Sequence, residues 1–204
     1  ADLDGPRLKS ALILNAGHGL GARIEAALRG LDFTVSNVSA DNAPAASMRN
    51  GGSVALLVVL PFPDEVSTGT QCDVFFNFLN ALASQAAPPR ERDDQGEWRA
   101  PAQCVLVSDA NPMTSMEASF AAARTADLLY TSMRRAALEF APKLRVNMIC
   151  PPRAVDPRWA DYTAEPGRQA DGGDDLAAAL NYLISAEPVT GELLAVDLAD
   201  PTAE

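Results

Sequence analysis

One stretch, Cys104–Pro152, constrains the fold more than any other: CVLVSDANPMTSMEASFAAARTADLLYTSMRRAALEFAPKLRVNMICPP. Cys104-Val105-Leu106-Val107 is a short apolar run rich in β-branched residues, closed by Ser-Asp-Ala-Asn-Pro, and predicts a buried strand. From about Met116 to Phe140 there is no Pro or Gly, and Ala, Leu, Met, Arg and Glu dominate, which predicts one long helix. Leu144-Arg145-Val146-Asn147-Met148-Ile149-Cys150 is a second buried strand, ended by Pro151-Pro152.

The rest of the chain extends the pattern. Leu8–Asn15 reads as a strand, followed by Ala16-Gly17-His18-Gly19-Leu20-Gly21 and a helix through about Arg29, with Gly30 as its C-terminal stop. A Gly-rich turn between strand and helix can present backbone N–H groups to a pyrophosphate. A turn kept for strand–helix packing is the plainer reading. Phe33–Ser39 and Ser53–Leu60 are further strands. Cys72–Ser84 is an apolar helix, 87–102 a charged surface loop, Asp174–Ile184 a capped helix and Thr190–Asp197 a closing strand. At 204 residues the whole chain, 1–204, is expected to form a single domain.

Arg134-Arg-Ala-Ala-Leu-Glu-Phe-Ala-Pro-Lys-Leu-Arg-Val-Asn-Met-Ile-Cys-Pro-Pro resembles the "TR…ALELAP…IRVN.I.PG" signature of short-chain dehydrogenases/reductases. Thr190-Gly191 through Asp197 resembles the family's closing "TG…VDGG" strand. Asp109-Ala110 looks most like the pteridine reductase and dihydromonapterin reductase branch, where an Asp replaces the usual active-site Ser. The resemblance implies a Rossmann-like, three-layer, doubly wound parallel sheet. Here it is shortened: 40–52 is too short for the family's third strand and helix.

The same resemblance puts the catalytic Tyr and Lys positions at Ala122 and Ala126, counted forward from Asp109 or back from Val146-Asn147. An Ala methyl can neither donate a proton nor hold a ribose, and a positioned proton donor is worth about 10²–10⁴ in rate. Tyr130-x-x-x-Arg134 has the right spacing and groups, but Tyr130 lies about 12 Å further along the helix than Ala122 and reads as a core or interface aromatic. Against the family's T-G-x-x-x-G-x-G, Gly19 and Gly21 are kept, Leu14 replaces the Thr and Asn15 the first Gly. The remnant cofactor positions are therefore Asn15, Gly17, His18, Gly19, Leu20 and Gly21, with Asn37 and Ser39 where the adenine ribose would be read. Leu60-Pro61-Phe62-Pro63 stands where the family has Asn-Asn-Ala-Gly.

Composition narrows the partners. A net charge of −11 argues against nucleic acid and against an anionic membrane surface. A single His and three Cys without metal-like spacing predict no metal site. Cys72, Cys104 and Cys150, the last two in predicted strands, read as buried reduced thiols of a cytoplasmic protein, and no apolar run is long enough for a membrane span.

These features favour a non-catalytic homologue acting as a structural or regulatory subunit, with no cofactor, or with NADP or NAD if the remnant site binds. The resemblance implies pairing of helices 72–84 and 116–141 across a two-fold, as a homodimer or with an active reductase paralogue. Ala121-Ala122-Ala123 and Ala136-Ala137 would allow close helix approach there. The alternatives are an NAD(P)H-dependent reductase of a pterin-like or carbonyl substrate using Asp109, and a nucleotide or small-molecule sensor.

Overall fold

The computed structural model describes residues 9–15, 21–38, 54–59, 67–85, 101–108, 120–150, 173–186 and 188–196. In chain order they form β1 (Lys9–Leu14), α1 (Gly21–Gly30), β2 (Phe33–Val38), β3 (Val54–Val59), α2 (Thr68–Gln85), β4 (Ala102–Val107), α3 (Phe120–Glu139), β5 (Leu144–Cys150), α4 (Gly173–Ser185) and β6 (Leu193–Ala195). The six strands make one sheet in the order β2-β1-β3-β4-β5-β6, and every neighbouring pair is parallel.

Period-2 alternation divides the strand side chains between two apolar layers. Leu12, Leu14, Leu57, Val59, Cys104, Leu106, Val146 and Met148 pack with Phe75, Phe78, Leu79 and Leu82 of α2 and with Leu129, Met133, Ala136 and Ala137 of α3. Ala11, Ile13, Leu56, Val58, Val105, Val107 and Ile149 face the other way, against Ile24 and Leu28 of α1 and Leu176, Leu180 and Leu183 of α4. Helices on both faces of a parallel sheet give the three-layer architecture expected from the sequence. Both faces are buried, so every residue of β4 and β5 is buried, the polar Gln103, Arg145 and Asn147 included.

Several boundaries differ from the sequence reading. The helix expected from Cys72 begins at Thr68, because Ser67 caps it: its Oγ accepts from the Thr70 backbone N–H at 3.2 Å. Gly30 is not the left-handed stop of α1. The helix includes Gly30, and the positive φ falls at Asp32 (62°), after Leu31 and Asp32 donate back to Leu28 and Arg29. A Cβ on Gly30 would meet nothing within 4 Å. Gly30→Ala is therefore expected to stabilise the protein by about 0.4–1 kcal/mol, through a less flexible unfolded chain, read as a raised urea midpoint. The closing strand pairs over Leu193–Ala195 only, rather than from Thr190.

The most elaborate polar structure lies in β5. Arg145 and Asn147 fall on the α1/α4 side of the sheet, and both are buried. Arg145 donates from Nη1 to the carbonyls of Leu183 (3.3 Å) and Ala186 (2.6 Å) and from Nη2 to that of Ile184 (3.2 Å). Gln103, its register partner on β4, adds Nε2 to Ile184 O at 2.9 Å. Two side chains thus satisfy the last carbonyls of α4, and the guanidinium sits at the negative end of its dipole. Asn147 holds the next segment: Nδ2 donates to Val189 O at 3.1 Å, and Oδ1 accepts from Glu192 N at 3.1 Å. Thr190 Oγ1 accepts from Val146 N, and Gly191 N donates to Val146 O. Gly191 has φ +78°, and a Cβ there would lie 3.4 Å from that of Ala137.

Candidate functional site

In a doubly wound sheet, ligands bind beyond the carboxyl ends of the strands, where the strand order reverses. With the order β2-β1-β3 that place lies between β1 and β3. Asn15 after β1 and Gly21 at the start of α1 border it. The first turns of α3 come to the same edge, since α3 returns the chain from the end of β4 to the start of β5.

Asn15 takes the left-handed conformation, φ 64°. The position of the family's first Gly therefore still has the backbone shape glycine serves, and Asn is among the few other residues that tolerate it. Its N–H, however, donates to Val38 O at 3.0 Å, tying the end of β1 to the end of β2. Asn37 is exposed, and its Nδ2 donates to Glu25 Oε2 of α1 at 3.0 Å, while Glu25 also pairs with Arg29. The Asn15 N–H and the Asn37 Nδ2 are thus both engaged within the protein. Gly21 is buried as the first residue of α1. Gly17, His18, Gly19, Leu20, Ser39 and Asp109 lie outside the described residues.

Ala122 and Ala126 fall in the first two turns of α3. Tyr130 and Arg134 lie further along the same helix, away from the carboxyl edge of the sheet. Arg134 Nη1 donates to the Tyr130 hydroxyl at 3.3 Å, its guanidinium lies 6.0 Å from the ring centroid, and it feels the charge of Glu192, just ahead of β6. Both side chains border a surface groove of about 600 Å³ with Thr131, Arg135, Leu138 and Glu139. The Tyr-x-x-x-Arg pair belongs to this outer face, at the opposite end from Asn15.

That face also carries exposed apolar and half-buried aromatic side chains. Leu138 and Leu128 are 82% and 45% exposed. Phe76 of α2 is half-buried between Phe75, Phe140 and the Arg135 guanidinium, 5.9 Å above its ring. Ala136 and Ala137, expected to admit a partner helix, point the other way: both are buried, and Ala137 receives the Gly191 turn. They permit close approach of α3 to its own sheet.

The thiols offer no reactive centre within the sheet. Burial raises the Cys104 thiol well above its ordinary value and pushes Cys150 up to about 12. Cys72 is half-buried, with its Sγ 3.5 Å from Ser132 Oγ. Under native conditions at pH 8, a thiol reagent is expected to leave Cys104 and Cys150 unmodified, whereas all three react in denaturant; mass spectrometry of the labelled peptides checks this. Among the described residues no cluster of His, Cys, Asp and Glu could hold a metal ion, and no helix is long and apolar enough to cross a membrane.

No protein-family model and no curated protein matches the sequence. Solved structures do. A 3-hydroxyacyl-CoA dehydrogenase type-2 from Mycobacterium avium superposes with a TM-score of 0.65 at 15% identity, over 98% of this chain and 98% of its own. An oxidoreductase of the short-chain dehydrogenase/reductase family from Burkholderia thailandensis gives 0.63 at 17%, over 93% and 91%. A small-chain dehydrogenase in complex with NADPH gives 0.60 at 16%, over 93% and 96%. The fold is that of the short-chain dehydrogenases/reductases. The buried Arg145 and Asn147 and the Thr190-Gly191 turn, which carry the sequence resemblance, bond within the protein.

Proposed function

We propose that this chain is a short-chain dehydrogenase/reductase homologue without hydride-transfer chemistry, serving as a structural or regulatory subunit that associates through the outer face of α2 and α3. One observation carries the reading: the two positions that match the family's catalytic Tyr and Lys are Ala122 and Ala126. They stand at the start of α3, and the groups with the right chemistry, Tyr130 and Arg134, sit on a different part of the same helix and bond to each other. The commitment of the Asn15 N–H and the Asn37 amide inside the protein supports the same conclusion. Exposed leucines beside an aromatic–arginine cluster on the α2/α3 layer support association there.

Titration with NADPH and NADH by calorimetry, up to millimolar concentration, tests the cofactor half of this reading. The expected result is no binding heat. Micromolar binding, with NADPH oxidation on a panel of pterins and carbonyl compounds, would overturn it in favour of a reductase using Asp109. Micromolar binding without turnover would favour a nucleotide sensor. The double substitution Ala122→Tyr/Ala126→Lys adds the missing pair and is expected to raise turnover above the parent only if the cofactor pocket still accepts NADPH.

A further inference from the structure

The groove of about 600 Å³ on the outer face of α3 has the volume of a small-molecule site. Aromatic rings set two guanidinium groups into its lining. Arg134 lies 6.0 Å from the centroid of the Tyr130 ring, and Arg135 lies 5.9 Å from that of Phe76 on α2. A planar guanidinium stacked on a ring turns its N–H edge outward, the edge that takes a carboxylate through two parallel bonds. Holding both groups in place beforehand lowers the ordering cost of binding. Arg134 gives one N–H to the Tyr130 hydroxyl at 3.3 Å, and that hydroxyl keeps its own proton to donate.

Charge and shape select the ligand. The chain has 27 acidic to 16 basic residues, yet the groove reverses that balance, with two arginines to one Glu139. One surplus positive charge matches a monocarboxylate better than a phosphate dianion, and Glu192, whose charge also reaches Arg134, adds to that preference. Glu139 stands 3.5 Å from Arg135 in an exposed pair, which an incoming carboxylate can displace at little cost. A carboxylate group alone would leave most of the groove unfilled. What remains of the lining is apolar: the Leu138 side chain, 82% exposed, and the Tyr130 ring.

We propose that this groove binds a small amphipathic monocarboxylate, its head held by Arg134 and Arg135 with a further bond from the Tyr130 hydroxyl, and its apolar body lying against Leu138. The site lies away from Asn15 and from the first turns of α3, so it stands whether or not the chain transfers hydride.

Hexanoate is the probe, compared with acetate, 1-hexanol and inorganic phosphate, each titrated into isotope-labelled protein and followed by backbone amide NMR shifts. Hexanoate is expected to bind saturably in the millimolar range, with shifts centred on residues 130–139. Acetate and 1-hexanol each carry half of the ligand and should bind about tenfold more weakly or worse, and phosphate no better than acetate. Arg134→Gln/Arg135→Gln should weaken hexanoate about tenfold. Glu139→Gln removes the competing carboxylate and should strengthen it about two- to fivefold, a gain that mere damage to the surface would not produce. Acetate binding as well as hexanoate would reduce the groove to a charge patch, and 1-hexanol binding as well would reduce it to an apolar one; either overturns the proposal. So would tighter binding of phosphate, shifts centred elsewhere, or no saturable shift with hexanoate. The four probes on the parent protein decide the matter even where a variant fails to fold.

Discussion

Replacing Arg145 with leucine is expected to lower the unfolding free energy by about 3–5 kcal/mol, seen as a fall in the urea midpoint at unchanged slope. The side chain is 5% exposed and donates to three carbonyls at the end of α4. Leucine would take the Arg145 donor from the Leu183 and Ala186 carbonyls and leave Ile184 O to Gln103 alone, in a place where water does not readily replace it, and would remove the positive charge from the negative end of the helix dipole. Arg145→Lys keeps the charge but cannot span three acceptors from one planar fork, so it should recover only part of the loss. If the leucine variant proved as stable as the parent, the guanidinium would not be what holds α4 to the sheet.

Asn147→Ala is expected to cost about 2–4 kcal/mol, since it strands two backbone groups, Val189 O and Glu192 N, each worth about 1–3 kcal/mol when left unpaired. Both bonds come from one amide: Nδ2 gives a proton to the first, and Oδ1 takes one from the second. Asn147→Asp keeps the acceptor and loses the donor, setting a carboxylate against the Val189 carbonyl. It should be at least as damaging near neutral pH, and thermal melts of the three proteins side by side check the order. The readout belongs to the fold, so both Asn147 variants should leave any residual NADPH binding unchanged per folded molecule.

These two residues also explain what was legible in the sequence. The stretch Arg134–Pro152 carries a recognisable signature, and Arg145 and Asn147 within it have structural work of their own. The strands were equally legible: burial on both faces makes most positions of β3, β4 and β5 apolar. Contacts that depend on how distant elements meet were not. Asn37 looked placed for a ribose, yet its partner is Glu25, twelve residues earlier on α1. Ala136 and Ala137 resemble a helix-pairing motif on a linear reading, and only the rotation of α3 turns them inward. Gly30 suggested a left-handed stop, but two tight closing bonds carried the turn on to Asp32. The start of α2 was hidden by Gly69 and two threonines of low helix propensity, which the Ser67 cap offsets. Of the candidate site itself, only Asn15, Gly21, Asn37 and the helical positions Ala122 and Ala126 can be placed. Asn15 takes the left-handed backbone shape that a glycine commonly serves.

The clamp on β5 bears on how this protein is made. A ribosome delivers β5 well before residues 173–196, so for that interval Arg145 and Asn147 have no α4 end and no returning segment to bond. A nascent chain stopped near residue 150 would have to keep a guanidinium and a carboxamide hydrated on what becomes an interior strand. It should therefore remain open and need shelter from aggregation until residues 173–196 have followed.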